Sequence, residues 1–163
     1  MLNILKQVFG VVKVKDLMRS PAITVGEDED LSWAIVKLTN HGISHLVAVD
    51  QSDRVTGILS HKYIYRTQSP RKIIGQESLY TPDMILDGDS YYYKESLDKY
   101  YIRQVMKKHP PTIRPGQPVV DAIKVMAERK LGCIPVVDKE KHPIGIITER
   151  EIIEYAAKTL REG

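Results

Sequence analysis

Thr148, Arg150 and Glu151 stand where the chain passes from an apolar run, residues 144–147, into a segment with helical periodicity. The first backbone N–H groups of such a helix lack intrahelical acceptors and carry the positive end of the helix dipole, so the junction favours an anion. The Thr148 hydroxyl and the Glu151 carboxylate, three residues apart, face each other across the first turn, and Arg150 sets a cation beside them. The same Thr-x-x-Glu spacing is a capping box, in which each side chain satisfies the other's backbone donor. These residues by themselves leave both readings open, a cap and a ligand site.

Other chemistry-bearing residues offer less. His41 and His45 have the spacing of a helical metal-ligand pair, with His61 further on, but Gly42 lies between them and a strand follows, so no metal site is expected. Asp87-Gly88-Asp89-Ser90 opens like a calcium loop without the ligand required at the far end, and reads as a solvated turn. The single cysteine, Cys133, falls in an apolar strand, and no Ser/His/Asp set or paired carboxylates share a junction, so the chain is not expected to be an enzyme. Lys6, Lys13, Lys15, Arg19, Lys107 and Lys108 read as scattered, solvated charges.

Holding Thr148 and Glu151 takes a strand that ends at the junction and a helix that begins there. Residues 131–153 supply both. Ile134, Val136 and Val137 form a β-branched run closed by Asp138, residues 139–143 are turn-like, a second apolar run follows, and Thr148 opens the helix. The same order is met upstream. Residues 15–18 read as a helical turn, Ser20-Pro21 as a breaker and residues 23–25 as a strand. Residues 31–38 read as a helix capped from residues 26–30, and residues 46–49 as a strand closed by Asp50. Residues 54–59 form the next strand, with Gly57 where a close backbone approach is expected, and Ser60 starts a helical segment.

Shifted by 88 residues, 14–65 align with 102–153 without a gap, and nine positions are identical. They are Met18 with Met106, Thr24 with Thr112, Ala34 with Ala122, Ile35 with Ile123, Val49 with Val137, Asp50 with Asp138, Gly57 with Gly145, Ile58 with Ile146 and Ile64 with Ile152. An internal repeat explains this, and each copy is too small to bury its own apolar faces well, so the two are expected to pack about a pseudo-twofold axis. Between them lies an insert of different composition, carrying turn signals and most of the stretch from Tyr63 to Tyr101 that holds eight of the nine tyrosines. Tyrosine's apolar body and polar tip suit it either to meet another chain or to pack over an edge of its own domain.

At 163 residues with a net charge of +3, the chain has room for one ordinary domain or two small halves, and no focused charge argues for nucleic acid. A lone cysteine cannot form an internal disulfide. The start, MLNILKQVFGVV, lacks a cleavage site, and no apolar run approaches the roughly 20 residues of a spanning helix. A cytoplasmic protein, not a membrane one, is expected.

With DLM at 16–18, ITV at 23–25, LVAVD at 46–50 and GILS at 57–60, answered by QVM at 104–106, PTI at 111–113, IPVVD at 134–138 and GIITERE at 145–151, about two thirds of the chain resembles the tandem cystathionine-β-synthase (CBS) domain family. The resemblance implies an α/β (α+β) Bateman module. Two CBS repeats, each short helix-strand-helix-strand-strand-helix, would pack with pseudo-twofold symmetry, with residues 1–11 as an N-terminal segment, 12–66 and 100–160 as the repeats and 67–99 as the insert. It further implies a regulatory, non-catalytic module, often a homodimer, that binds AMP, ADP, ATP or S-adenosylmethionine between the repeats and acts on a partner in trans.

Carried over by residue, the resemblance places Thr148, Arg150 and Glu151 at the ribose-phosphate, with Glu151 where the family prefers Asp. It places Thr24, Ile43, Ser44 and Ile146 around the base, and His45 as a basic phosphate contact. The symmetric cleft of Ile58, Ser60, Lys62, Thr112, Leu131 and Gly132 has Tyr63 in place of the acidic residue and is expected to be empty or weak. The competing reading is a protein-interaction scaffold that uses the tyrosine-rich insert and binds no small molecule.

Overall fold

The computed structural model describes residues 9–61, 64, 84–87, 90–93 and 100–162. The expectations for residues 1–8, for Lys62 and Tyr63, and for most of the insert lie outside them. The first repeat runs α1 (Val14–Leu17), β1 (Thr24–Gly26), α2 (Leu31–His41), β2 (His45–Val49) and β3 (Val55–Ser60). A hairpin of β4 (Met84–Asp87) and β5 (Ser90–Tyr93) follows, pairing Asp87 with Ser90 at its tip, so part of the insert is ordered as strand. The second repeat is α3 (Ile102–Val105), β6 (Lys107–Lys108), α4 (Val119–Arg129), β7 (Cys133–Val137), β8 (Pro143–Thr148) and α5 (Glu149–Glu162). Among the described residues no helix is long and apolar enough to cross a membrane.

The two copies form the same elements for the same reasons. In α2, Leu31, Ala34 and Leu38 are buried along one face, and in α4 their counterparts Val119, Ala122 and Met126 are buried likewise. Each repeat then makes an antiparallel hairpin, β2 with β3 and β7 with β8, with a register shift at the same place, between Ala48 and Val49 and between Val136 and Val137. The identical aspartates build the turns. Asp50 Oδ1 accepts the N–H groups of Ser52 at 2.8 Å and Arg54 at 2.9 Å, and Asp138 Oδ1 accepts those of Glu140 and His142, both at 2.9 Å.

The repeats are not side by side but exchanged at their starts. Val14 N–H donates to Gln117 O at 2.9 Å and, 88 positions on, Ile102 N–H donates to Glu29 O at 3.0 Å; Lys15 to Pro115 O and Arg103 to Glu27 O repeat the relation, both at 2.9 Å. Thus α1 packs on the second repeat, where Val14 joins Ile113, Val119, Ala122, Ile134, Val136 and Ile147. In turn α3 and the residues after it pack on the first, where Ile102 and Met106 join Val25, Leu31, Ala34 and Leu59. The chain then adds an edge to the partner hairpin: Lys107 pairs with Ile58 in the four-stranded sheet β1-β2-β3-β6, and Arg19 pairs with Ile146 beside β8.

This exchange accounts for two pairs of identities at once. A Cβ on Gly57 would lie 2.3 Å from Met106 Sδ, and one on Gly145 would lie 2.8 Å from Met18 Sδ and 2.7 Å from the carbonyl oxygen of Arg19. Each glycine is bare because the crossing methionine of the other repeat lies on it. Along the seam between the repeats, Val47, Val49 and Ile58 of one bury against Leu131, Cys133 and Ile146 of the other.

Candidate functional site

The junction forms where the sequence puts it: β8 ends at Thr148, and α5 begins with Glu149. Beside it β7 holds the strand end in register, with Cys133 opposite Thr148. One helical turn on, Glu151 folds back. Its Oε2 accepts the Thr148 N–H at 2.9 Å and also the Thr148 hydroxyl, while Thr148 Oγ1 accepts the Arg150 N–H at 3.2 Å. Glu151 thus supplies its half of the capping box, while the Thr148 hydroxyl caps the N–H of Arg150 in place of that of Glu151. Glu151 Oε1 accepts from Arg19 Nε at 2.5 Å, across the seam between the elements. The carboxylate is 8% exposed, and its burial is compensated by the guanidinium and the two donors that surround it.

A cavity of about 430 Å³ opens at this junction, within the roughly 300–1,000 Å³ typical of small-molecule sites. Its walls are Arg19, Ser20, Pro21 and Ile23 from the crossing segment and residues 41–45 from the corner between α2 and β2. Gly132, Ile146 and residues 148–150 of the second repeat complete it. The corner exists because Gly42, at φ +57°, ends α2 in the left-handed conformation and donates its N–H back to Leu38 and Thr39. That separates His41, whose Nδ1 lies 2.9 Å from Lys37 O, from His45 at the start of β2.

Of the residues expected to bind, Ile43, Ser44, His45, Ile146, Thr148 and Arg150 line this cavity. Thr24 does not; Ile23 takes its place, since successive side chains of a strand point to opposite faces. Glu151 lies outside the wall, and Arg19, to which it is bonded, lies in it. Gly132, expected in the weaker cleft, lines this one: a Cβ there would be 3.0 Å from His45 Nε2 and 3.7 Å from Glu149 Oε2. Of the others assigned to the weaker cleft, Ile58, Ser60 and Leu131 are buried, Thr112 is exposed, and Lys62 lies outside the described residues.

Arg19, read from the sequence as a scattered, solvated charge, is instead a wall residue paired with Glu151, while Ser20, Pro21, His41, Gly42 and Glu149 are wall residues that sequence reasoning did not reach. The only signal was indirect. Arg19 stands beside Met18, and Met18 and Gly145 both recur in the repeat, but nothing in one sequence tells that they touch.

The electrostatics revise one expectation. Burial pushes the His45 ring below its ordinary value of 6.5, with His61 adding to the effect and Glu149 and Glu151 opposing it. At neutral pH His45 is therefore a neutral hydrogen-bonding ring instead of a cation, and the cationic wall groups are Arg19 and Arg150. Burial also pushes the Cys133 thiol up to about 12, helped by Glu149 and Glu151, so it is no nucleophile. Away from the cavity, Asp138, Glu140 and His142 come within 4.8 Å of one another at the β7–β8 turn. There the Asp138 carboxylate already organises the backbone, and its Oδ2 lies 3.2 Å from His142 Nδ1.

The CBS domain family model matches residues 14–69 and 102–158. A CBS domain-containing protein of Dictyostelium discoideum is 28% identical over 149 residues, spanning 91% of this chain and 94% of its own. Among solved structures, a CBS domain pair in complex with 5′-methylthioadenosine and S-adenosyl-L-methionine superposes with a TM-score of 0.69 at 22% identity, over 91% of this chain and 98% of that one. A second, in complex with AMP, gives 0.65 at 18% identity, over 90% and 97%. Both share the fold of this chain.

Proposed function

The chain belongs to the CBS domain family, and from that premise we propose that it is a regulatory module binding an adenosine-containing ligand in the cavity at the Thr148 junction. The observation that carries the reading is the make-up of that cavity: one repeat supplies Ile43, Ser44 and His45, and the other supplies Ile146, Thr148 and Arg150. Apolar Ile43 and Ile146 suit the faces of a purine, while the Thr148 hydroxyl and the two arginines suit a sugar and an anion. The two solved CBS pairs bind AMP in one case and S-adenosyl-L-methionine with 5′-methylthioadenosine in the other, which supports the same ligand class here.

The hydroxyl–carboxylate pair of Thr148 and Glu151 is engaged at the start of α5, where the carboxylate also holds a backbone N–H and Arg19, so the module is read as a sensor whose output passes to another protein. A ligand that spans residues from both repeats favours one arrangement of the seam, which is how occupancy would reach a partner. A second copy of the chain is the first such partner proposed: Trp33, 56% exposed, and Val36 stand on one face of α2, and light scattering should give a dimer mass for wild type that Trp33→Asp lowers.

Calorimetric titration with AMP, ADP, ATP and S-adenosylmethionine tests the function. Saturable binding of at least one, weakened about tenfold or more by Thr148→Ala, is expected. No heat and no thermal shift with any of them would overturn it.

A further inference from the structure

Resting on that reading, we infer that Arg19 is the specificity residue of the cavity and selects phosphorylated adenosine ligands over neutral or cationic ones. The acidic residue that the sequence offers to a ribose is not what the cavity presents. Glu151 is 8% exposed and absent from the wall, its Oε1 held by Arg19 Nε at 2.5 Å and its Oε2 by the N–H and hydroxyl of Thr148. Arg19 is in the wall and 43% exposed. A guanidinium has five N–H donors, and among the described residues only the Nε of Arg19 is bonded to a side chain, which leaves the planar end for an incoming acceptor.

A ligand whose handle is a neutral diol must draw Glu151 away from Arg19 and leave that cation uncompensated. One that carries a phosphate as well gives Arg19 a replacement anion, and Arg–phosphate pairs are frequently bidentate. S-adenosylmethionine brings a sulfonium cation to the same wall. The exchange asks only for a side-chain movement, because the Arg19 backbone is fixed to Ile146 by two hydrogen bonds, N–H to O at 2.9 Å and O from N–H at 3.0 Å.

The test is the ratio of dissociation constants for adenosine and AMP, measured by calorimetry on the full chain. Wild type should prefer AMP by about tenfold or more. Arg19→Met should bring the ratio close to one, losing AMP affinity while adenosine gains from the freed Glu151, and Arg19→Lys should restore part of the preference. Glu151→Gln keeps an acceptor for Thr148 but releases Arg19, so the ratio should rise although both ligands bind less well. A ratio unchanged in Arg19→Met, or equal weakening of both ligands there, overturns the assignment, as does a ratio that fails to rise in Glu151→Gln. Failure of wild type to bind any adenosine ligand instead overturns the function proposed above.

Discussion

The two repeats share a frame and differ at its ends. Met18 and Met106, Gly57 and Gly145, and Asp50 and Asp138 are identical because the exchanged starts and the hairpin turns demand the same contacts in both halves. At the strand-to-helix junctions the residues diverge. Thr148, Glu149, Arg150 and Glu151 stand where the first repeat has Ser60, His61, Lys62 and Tyr63, and His45 and Ser44 stand where the second has Cys133 and Gly132. Packing constrains the frame twice over, whereas the Thr148 junction borders an open cavity, where packing demands less of residue type. The Thr148 cleft has a largely apolar wall that carries the charged groups of Arg19, Glu149 and Arg150, with His45 entering from the other repeat. The symmetric position of His45 holds Cys133, fully buried in the seam.

The largest expected effect separates the two glycines that the frame makes equivalent. At Gly145 an added methyl meets the Arg19 carbonyl, which belongs to the backbone and cannot swing aside, as well as Met18; at Gly57 the nearest atoms all belong to the Met106 side chain, the closest being its mobile Sδ. Gly145→Ala should therefore cost about 1–3 kcal/mol of unfolding free energy in urea and also displace Arg19 from the cavity, while Gly57→Ala costs less. Equal losses would mean that the seam yields as readily on both sides.

A smaller contrast tests the helix ends. Gly42 and Lys130 occupy the same place after α2 and α4, both left-handed, at φ +57° and +54°. A Cβ on Gly42 would meet nothing within 4 Å, so the cost of Gly42→Ala is conformational alone, about 1 kcal/mol. Lys130→Gly should raise stability by about 0.5–1 kcal/mol, read as a shift in the urea midpoint at constant slope. If both changes destabilise, Lys130 is held by more than its backbone conformation.

How much of this was legible depended on whether the information was local. The strands, the turn-building aspartates, the helix stop at Gly42 and the Thr148–Glu151 pair follow from neighbours within a few residues, and the close approach at Gly57 from its place inside a strand. The doubling was visible as a fixed shift of 88. The exchange of the repeat starts was not, because an apolar residue such as Val14 shows that it will be buried without showing against which copy. Arg19 was hidden for the same reason, and with it the fact that Glu151 already has a cationic partner. The resemblance gave His45 a basic role by its position, and neither position nor residue type carries a measure of burial.

That last residue gives the smallest prediction and one with a definite sign. The folded-state pKa of His45 is lowered by burial, so below its ordinary value of 6.5 the unfolded chain binds a proton that the folded chain refuses. Stability rises with pH wherever the unfolded state holds more protons, so this group costs nothing above the ordinary value, and its penalty grows as pH falls below 6.5 toward the folded-state value. The contrast with Cys133, its counterpart in the seam, is that the thiol stays neutral across the same range, pushed up to about 12. Melting temperatures of wild type and His45→Gln should run parallel above that ordinary value and diverge below it, wild type falling faster. Because the other titrating groups are common to both proteins, the difference isolates His45. Parallel curves throughout would show that the ring is solvated and able to carry charge beside a bound phosphate, and would restore the cationic role that its burial argues against.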